Sequence, residues 1–65
     1  MEHSKTEILK VLDEYIHRVS DRQIMAVYLT DRPDSMEQIA EICGVSVSTV
    51  KRVLNRNSFI YKYLT

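Results

Sequence analysis

The sequence has 65 residues, of which 45% are apolar, and its nine Lys and Arg balance its nine Asp and Glu to give zero net charge. A chain of this length forms at most one domain with a thin core, which argues against an enzyme with a deep active site. The balanced charge excludes a polybasic histone-like protein and an acidic disordered tail, and the single Cys43 excludes an internal disulfide and a cysteine-rich zinc site.

The first predicted helix runs from about Lys5 to Val19. Ser4 is a suitable N-cap, and Glu7 stands three residues later, as in a capping box. The length of this helix also makes it a candidate dimer surface. Its apolar residues recur with the 3.6-residue period of a helix, at Ile8, Leu12, Tyr15, Ile16 and Val19.

A second helix is predicted to start at Ser20, with Gln23 in the capping-box position. It should end near Thr30, because Pro33 disfavours helical geometry at the residue before it. Its apolar residues are Ile24, Met25, Val27, Tyr28 and Leu29.

The third helix begins after Asp34 or Ser35, since both residues are good N-caps, and it covers Met36 to Ile42 or Cys43. Gly44 is the only glycine in the chain and follows this helix directly. We therefore expect a left-handed C-terminal cap at Gly44.

Ser46 is the predicted N-cap of a fourth helix, which runs from Val47 to about Arg56. Its inner side is expected to carry Val50, Val53 and Leu54. Its outer side is expected to carry Val47, Ser48, Lys51, Arg52 and Asn55.

The tail from Asn57 to Thr65 fits two patterns. Ser58 could cap a short helix with Ile60 and Leu64 at i, i+4 spacing, which is the interpretation we favour. The alternation of the aromatic residues would instead suit a strand. Those aromatic residues could stack on single-stranded bases, but packing on the first helix, or a dimer seam, is the favoured role for Phe59, Tyr61 and Tyr63.

Together these elements predict an all-α fold, a small bundle of four to five helices that forms one domain over residues 1–65. This domain could be the N-terminal part of a longer protein. Its charge is uneven: residues 1–45 carry nine acids against five bases, whereas residues 46–65 carry four bases and no acid. A basic segment on a neutral chain favours one face that meets an anion.

Residues 36–55, MEQIAEICGVSVSTVKRVLN, resemble a bacterial or phage helix-turn-helix. They are similar to the motifs of the Lac repressor family, the small sporulation transcription regulators and sigma-factor region 4. Ala40 stands where the motif needs a small residue, Gly44 lies in the turn, and Val50 and Val53 occupy the buried positions of the second helix. The preceding stretch, VSDRQIMAVYL, resembles the lead-in helix of sigma region 4.

The resemblance implies that the exposed face of the second motif helix enters the major groove of double-stranded DNA. Lys51 and Arg52 are expected to contact guanine or phosphate, Ser48 a base or a phosphate, and Val47 a thymine methyl group. Further contacts, mostly to phosphate, are expected from Gln38, Ser46, Thr49, Asn55 and Arg56. If the main cations are Lys51, Arg52, Arg56 and Lys62, the slope of log K against log salt should be about −3.6.

The expected function is sequence-specific binding of double-stranded DNA by a transcriptional regulator of a bacterium, phage or mobile element. Two copies would pair through the first helix or the aromatic tail and read an inverted repeat. One alternative is the DNA-binding domain of a recombinase, transposase or partition protein. Another is a protein-interaction module whose helices bind a partner helix.

Several other functions are not expected. Neither His3 nor His17 has a Cys or a second His at ligand spacing, so no metal or other cofactor is expected, and Cys43 is expected to be a small core residue. No catalytic constellation is visible, so the chain is not predicted to be an enzyme. Without an apolar run of about 18 residues or a signal peptide, it is expected in the cytoplasm, on the nucleoid, and not in a membrane.

Overall fold

The computed structural model describes residues 4–64, so His3 lies outside the described part of the chain. The helices are α1 (Lys5–Tyr15), α2 (Val19–Ala26), a π-helical turn (Val27–Asp31), α3 (Met36–Cys43), α4 (Val47–Arg56) and a final 3-10 helix (Ser58–Tyr63). Residues 4–64 contain no strand, which confirms the predicted all-α bundle.

The core takes residues from every α-helix and from the 3-10 helix, as a thin bundle requires. Partly buried side chains, including Val11, Val45 and Leu54, complete it. The buried apolar residues are Ile8, Leu12, Ile16, Ile24, Met25, Ile39, Ala40, Val50, Val53 and Ile60.

The N-terminus of α1 was predicted correctly, but its C-terminus was not. The Ser4 hydroxyl accepts a hydrogen bond from the Glu7 amide at 3.2 Å, as expected of the N-cap. The predicted continuation to Val19 is wrong, because the helix ends at Tyr15 and Ile16 is extended (φ −118°, ψ 114°). Ile16 remains in the core, whereas Val19 is 71% exposed. The helical spacing of apolar residues therefore continues beyond the end of the helix, and the spacing alone does not indicate that the chain becomes extended at Ile16.

The N-terminus of α2 also differs from the prediction. Arg18 occupies the N-cap position without a side-chain cap, and Ser20 lies inside the helix. The helix then widens into the π-helical turn, where the Thr30 hydroxyl donates to the Ala26 carbonyl at 2.6 Å. The segment ends at Asp31, as Pro33 predicted, and Arg32 adopts left-handed geometry (φ 47°).

The tail is helical, as favoured, but it is a 3-10 helix whose N-cap position is Asn57, so the predicted cap at Ser58 is wrong. Ile60 is fully buried. The rings of Tyr15 and Tyr63 stack with centroids 4.0 Å apart. This stack confirms that the aromatic tail packs on the first helix.

Candidate nucleic-acid interface

The start of α3 is fixed by two hydrogen bonds that involve Gln38. The Ser35 hydroxyl accepts from the Gln38 amide at 3.3 Å, and the Gln38 side-chain oxygen accepts from the Asp34 amide at 2.9 Å. Of the two caps that the sequence allowed, Ser35 is therefore the N-cap. The side-chain oxygen of Gln38 is thus used to cap the start of α3. Its side-chain N–H groups can still donate to a phosphate.

The turn between α3 and α4 depends on Gly44, which adopts left-handed geometry with φ 70°. The amides of Gly44 and Val45 both donate to the carbonyl of Ala40, the latter at 3.0 Å. These bonds satisfy the end of α3 and reverse the chain within three residues. The left-handed cap predicted from the lone glycine is confirmed.

The N-terminus of α4 is capped by Ser46. Its hydroxyl accepts from the Thr49 amide at 3.2 Å and lies 2.9 Å from the Thr49 hydroxyl. The cap predicted from the sequence is thus confirmed. Because the first amides of a helix have no partners within it, this end of α4 points unpaired N–H groups and a partial positive charge outward.

The two sides of α4 differ sharply in burial. Val50 and Val53 are buried against α3 and the rest of the core. Successive residues of a helix are about 100° apart, so the side opposite these valines presents Ser48, Lys51, Arg52 and Asn55, all exposed. We call these four residues the outer face of α4. No acidic residue occurs from residue 46 onward, so the outer face offers cations, a hydroxyl and an amide.

Val47 does not lie fully on that face, although the sequence placed it there. It is half-buried and packs against the core. Its contact with a thymine methyl stays a prediction, with less of the side chain available than the sequence suggested.

Arg56 has a partner that the sequence analysis did not foresee. Its Nη2 atom lies 3.0 Å from both carboxylate oxygens of Asp21, on α2. Asn57 donates from Nδ2 to the same carboxylate at 3.0 Å and to the Val53 carbonyl at 2.9 Å. Asp21 and Asn57 are both buried. The last turn of α4 is therefore bonded to α2 by a polar network inside the fold.

A shallow cleft of about 300 Å³ lies over this network. It is lined in part by the rings of Tyr15 and Phe59 and by the side chains of His17 and Arg18. The aromatic tail and the polar network are thus adjacent at the C-terminal end of α4.

Asp21 and Asn57 are the polar residues that sequence reasoning missed, although a signal for each was present. Asp21 precedes Ile24 and Met25 by three and four residues, which puts it on the apolar side of α2. Asn57 follows Val53 at the same spacing. A charged residue on a core-facing side requires a hydrogen-bonded or charged partner, and α4 supplies Arg56.

Cys43 is half-buried and packs against the core, as expected. Burial raises the pKa of its thiol, so the reactive thiolate is disfavoured at neutral pH. Within the described residues, no His, Cys, Asp and Glu side chains are grouped in threes to hold a metal ion. No helix between residues 4 and 64 has both the length and the apolar composition to cross a membrane.

Comparison with known proteins gives one match. A family model described as a homeodomain-like domain matches residues 16–59, which is more than half of the chain. The matched segment contains α2, α3, the turn and α4. Neither the search of curated proteins nor that of solved structures gave a significant match.

Proposed function

This chain belongs to the homeodomain-like family of helix-turn-helix domains, and we propose that it binds double-stranded DNA sequence-specifically as a transcriptional regulator of a bacterium, phage or mobile element. The observation that carries the proposal is the exposed, acid-free outer face of α4, held out by the capped turn at Gly44. We propose that the protein acts in the cytoplasm, on the nucleoid, as a binding protein and not as a catalyst.

The dimensions of α4 suit the major groove. Its ten residues span about 15 Å along the axis, and a B-DNA major groove is about 12 Å wide and admits one helix. Lys51 and Arg52 flank Ser48 and Asn55, so donors to guanine and phosphate surround groups that can read a base edge. The amides at the start of α4, together with the Ser46 and Thr49 hydroxyls, are suited to bind one phosphate.

We propose that two copies pair on DNA through an aromatic surface made of Tyr15, Phe59 and Tyr63. These side chains are 37%, 39% and 46% exposed, and the Tyr15–Tyr63 stack joins the first helix and the tail into one surface. The longest dimension of the domain is 28 Å. Two adjacent copies of this size are compatible with the separation of about 34 Å between recognition helices that an inverted repeat requires.

The pairing should be weak without DNA. The aromatic surface exposes roughly 200–300 Å² per copy, given about 150–250 Å² for each aromatic side chain, whereas stable complexes bury about 800 Å² per partner. We expect a monomer in solution and two copies on a palindromic site. Sedimentation of the free and DNA-bound protein tests this, with Phe59→Glu as the variant that keeps the dimer from forming. One copy on a nanomolar, non-palindromic site would contradict the dimer and leave DNA binding intact.

The function itself is tested by capture of genomic DNA fragments with the purified protein, followed by sequencing. A shared sequence motif among the captured fragments is the expected result. Binding of every fragment equally would limit the protein to non-specific binding. No binding even at low salt would contradict the proposal and favour a protein-interaction module.

A further inference from the structure

We infer that Asp21 withholds Arg56 from DNA, so that Arg56 positions α4 instead of neutralising a phosphate. The inference rests on the proposed function and concerns which cations of α4 take part in it. Arg56 lies on the basic helix α4, but its guanidinium is bonded to a carboxylate on α2.

The strength of this hold comes from the burial of Asp21. Its side chain is 6% exposed, whereas that of Arg56 is 42% exposed. A buried carboxylate that loses its cationic partner is strongly destabilising, whereas an exposed ion pair contributes little. If Arg56 moved to a phosphate, the buried Asp21 carboxylate would lose its cationic partner. Arg56 would gain only an exposed ion pair in exchange. The exchange is therefore unfavourable, and Arg56 stays with Asp21 when DNA is bound.

Asn57 strengthens the same conclusion. Its side-chain amide donates to Asp21 and to the carbonyl of Val53. The carboxylate is thus fixed relative to the backbone of α4 by a second, neutral donor. Because Asp21 has two partners from the end of α4, it sets the position of that end against α2.

The inference changes the expected salt dependence. On a DNA site that holds one copy, the loss of Arg56 from the cations expected from the sequence should make the slope of log K against log salt shallower than about −3.6 by about 0.9. Replacing Arg56 by methionine, which keeps the length of the side chain but not the charge, should leave the wild-type slope unchanged. A slope that becomes shallower by about 0.9 would overturn the inference, because Arg56 would then be a phosphate contact.

Asp21→Asn should change the salt dependence of DNA binding, which Arg56→Met should leave unchanged. The asparagine retains an oxygen that can accept from Asn57 but no longer holds the guanidinium by charge. We expect the slope to become steeper by about 0.9 as Arg56 becomes available to a phosphate. This increase should disappear in the Asp21→Asn, Arg56→Met double variant. Glu14→Gln removes an exposed acid from α1 and is the control for the change in net charge.

Circular dichroism shows whether each variant folds. If a variant does not fold, NMR of the wild-type chain tests the inference without any substitution. The guanidinium NMR signals of Arg56 should keep their chemical shifts when DNA is added, while those of Arg52 should move. Movement of the Arg56 signals would overturn the inference. Absence of DNA binding by the wild-type chain would overturn the proposed function and this inference together, whereas binding with a shallower Arg56→Met slope overturns this inference alone.

Discussion

The ring of Tyr63 stacks on the ring of Tyr15 with an interplanar angle of 14°, which attaches the tail of the domain to the end of α1. Three residues earlier, the buried Ile60 anchors the 3-10 helix in the core. The tail is therefore packed on the folded domain at two points.

Tyr63→Ala should lower the free energy of unfolding. Loss of the stack costs about 0.5–1.5 kcal/mol beyond the loss of buried area, because an aromatic pair is more favourable than its area alone. Chemical denaturation monitored by circular dichroism measures the change. Tyr63→Phe keeps the ring and should retain the stacking energy. Equal losses in the two variants would mean that the hydroxyl, not the stack, matters.

Gly44→Val should destabilise the domain by about 1–2 kcal/mol, since left-handed geometry is unfavourable for residues with a Cβ and most of all for β-branched ones. Apart from Gly44 itself and its two chain neighbours, no heavy atom of the described residues lies within 4 Å of the position that a Cβ would take, so the cost is conformational and not a clash. Gly44→Asn is the matched control, because asparagine adopts this geometry more readily. Thermal unfolding should rank Gly44 above Asn and Asn above Val, and a valine variant as stable as the wild type would contradict this account.

Lys51→Ala and Arg52→Ala should each weaken specific DNA binding, by about 1–3 kcal/mol where the side chain makes a bidentate base contact. Both side chains are on the exposed outer face of α4. Lys10→Ala removes an exposed cation from α1 and should have little effect, because it lies on another helix. Fluorescence anisotropy with a selected DNA site gives the affinities. Wild-type affinity in both α4 variants would remove the outer face from the interface.

Tyr61 should ionise at a higher pH than an ordinary tyrosine. Burial and the hydrogen bond with Tyr28 raise its pKa from 10 to about 12. Since the folded state holds this proton more tightly than the unfolded state, its contribution to stability is complete below pH 10 and is lost as the pH rises towards 12. Tyrosinate absorbance during a pH titration should show a late step that Tyr61→Phe removes. Tyr28→Phe should move that step to lower pH, and an unchanged step there would refute the role of the hydrogen bond.

The parts of the fold that depend on neighbouring residues could be predicted from the sequence. The caps at Ser4, Ser46 and Gly44 each involve bonds within five residues, so the local pattern determines them. The buried side of α4 followed from the spacing of Val50 and Val53. These same features put the residues of the candidate interface on one side of the domain.

The parts that depend on distant residues could not be predicted in this way. Ile16 satisfies the apolar spacing of a helix but is buried from an extended segment, so α1 ends earlier than its pattern indicates. No local pattern indicates the partner of Asp21, because Arg56 lies 35 positions away along the chain. Only the fold brings Asp21 to Arg56, which is one of the four main cations expected from the sequence.

The distance along the chain between Asp21 and Arg56 has a consequence for the order of folding. The two residues are 35 positions apart, whereas the bonds that form the turn at Gly44 join residues at most five apart. Closing a longer loop costs more entropy, so local contacts tend to form first. We therefore expect the α3–α4 turn to form early and the end of α4 to dock on α2 after the rate-limiting step. Loss of Asp21 should then accelerate unfolding and leave the folding rate almost unchanged.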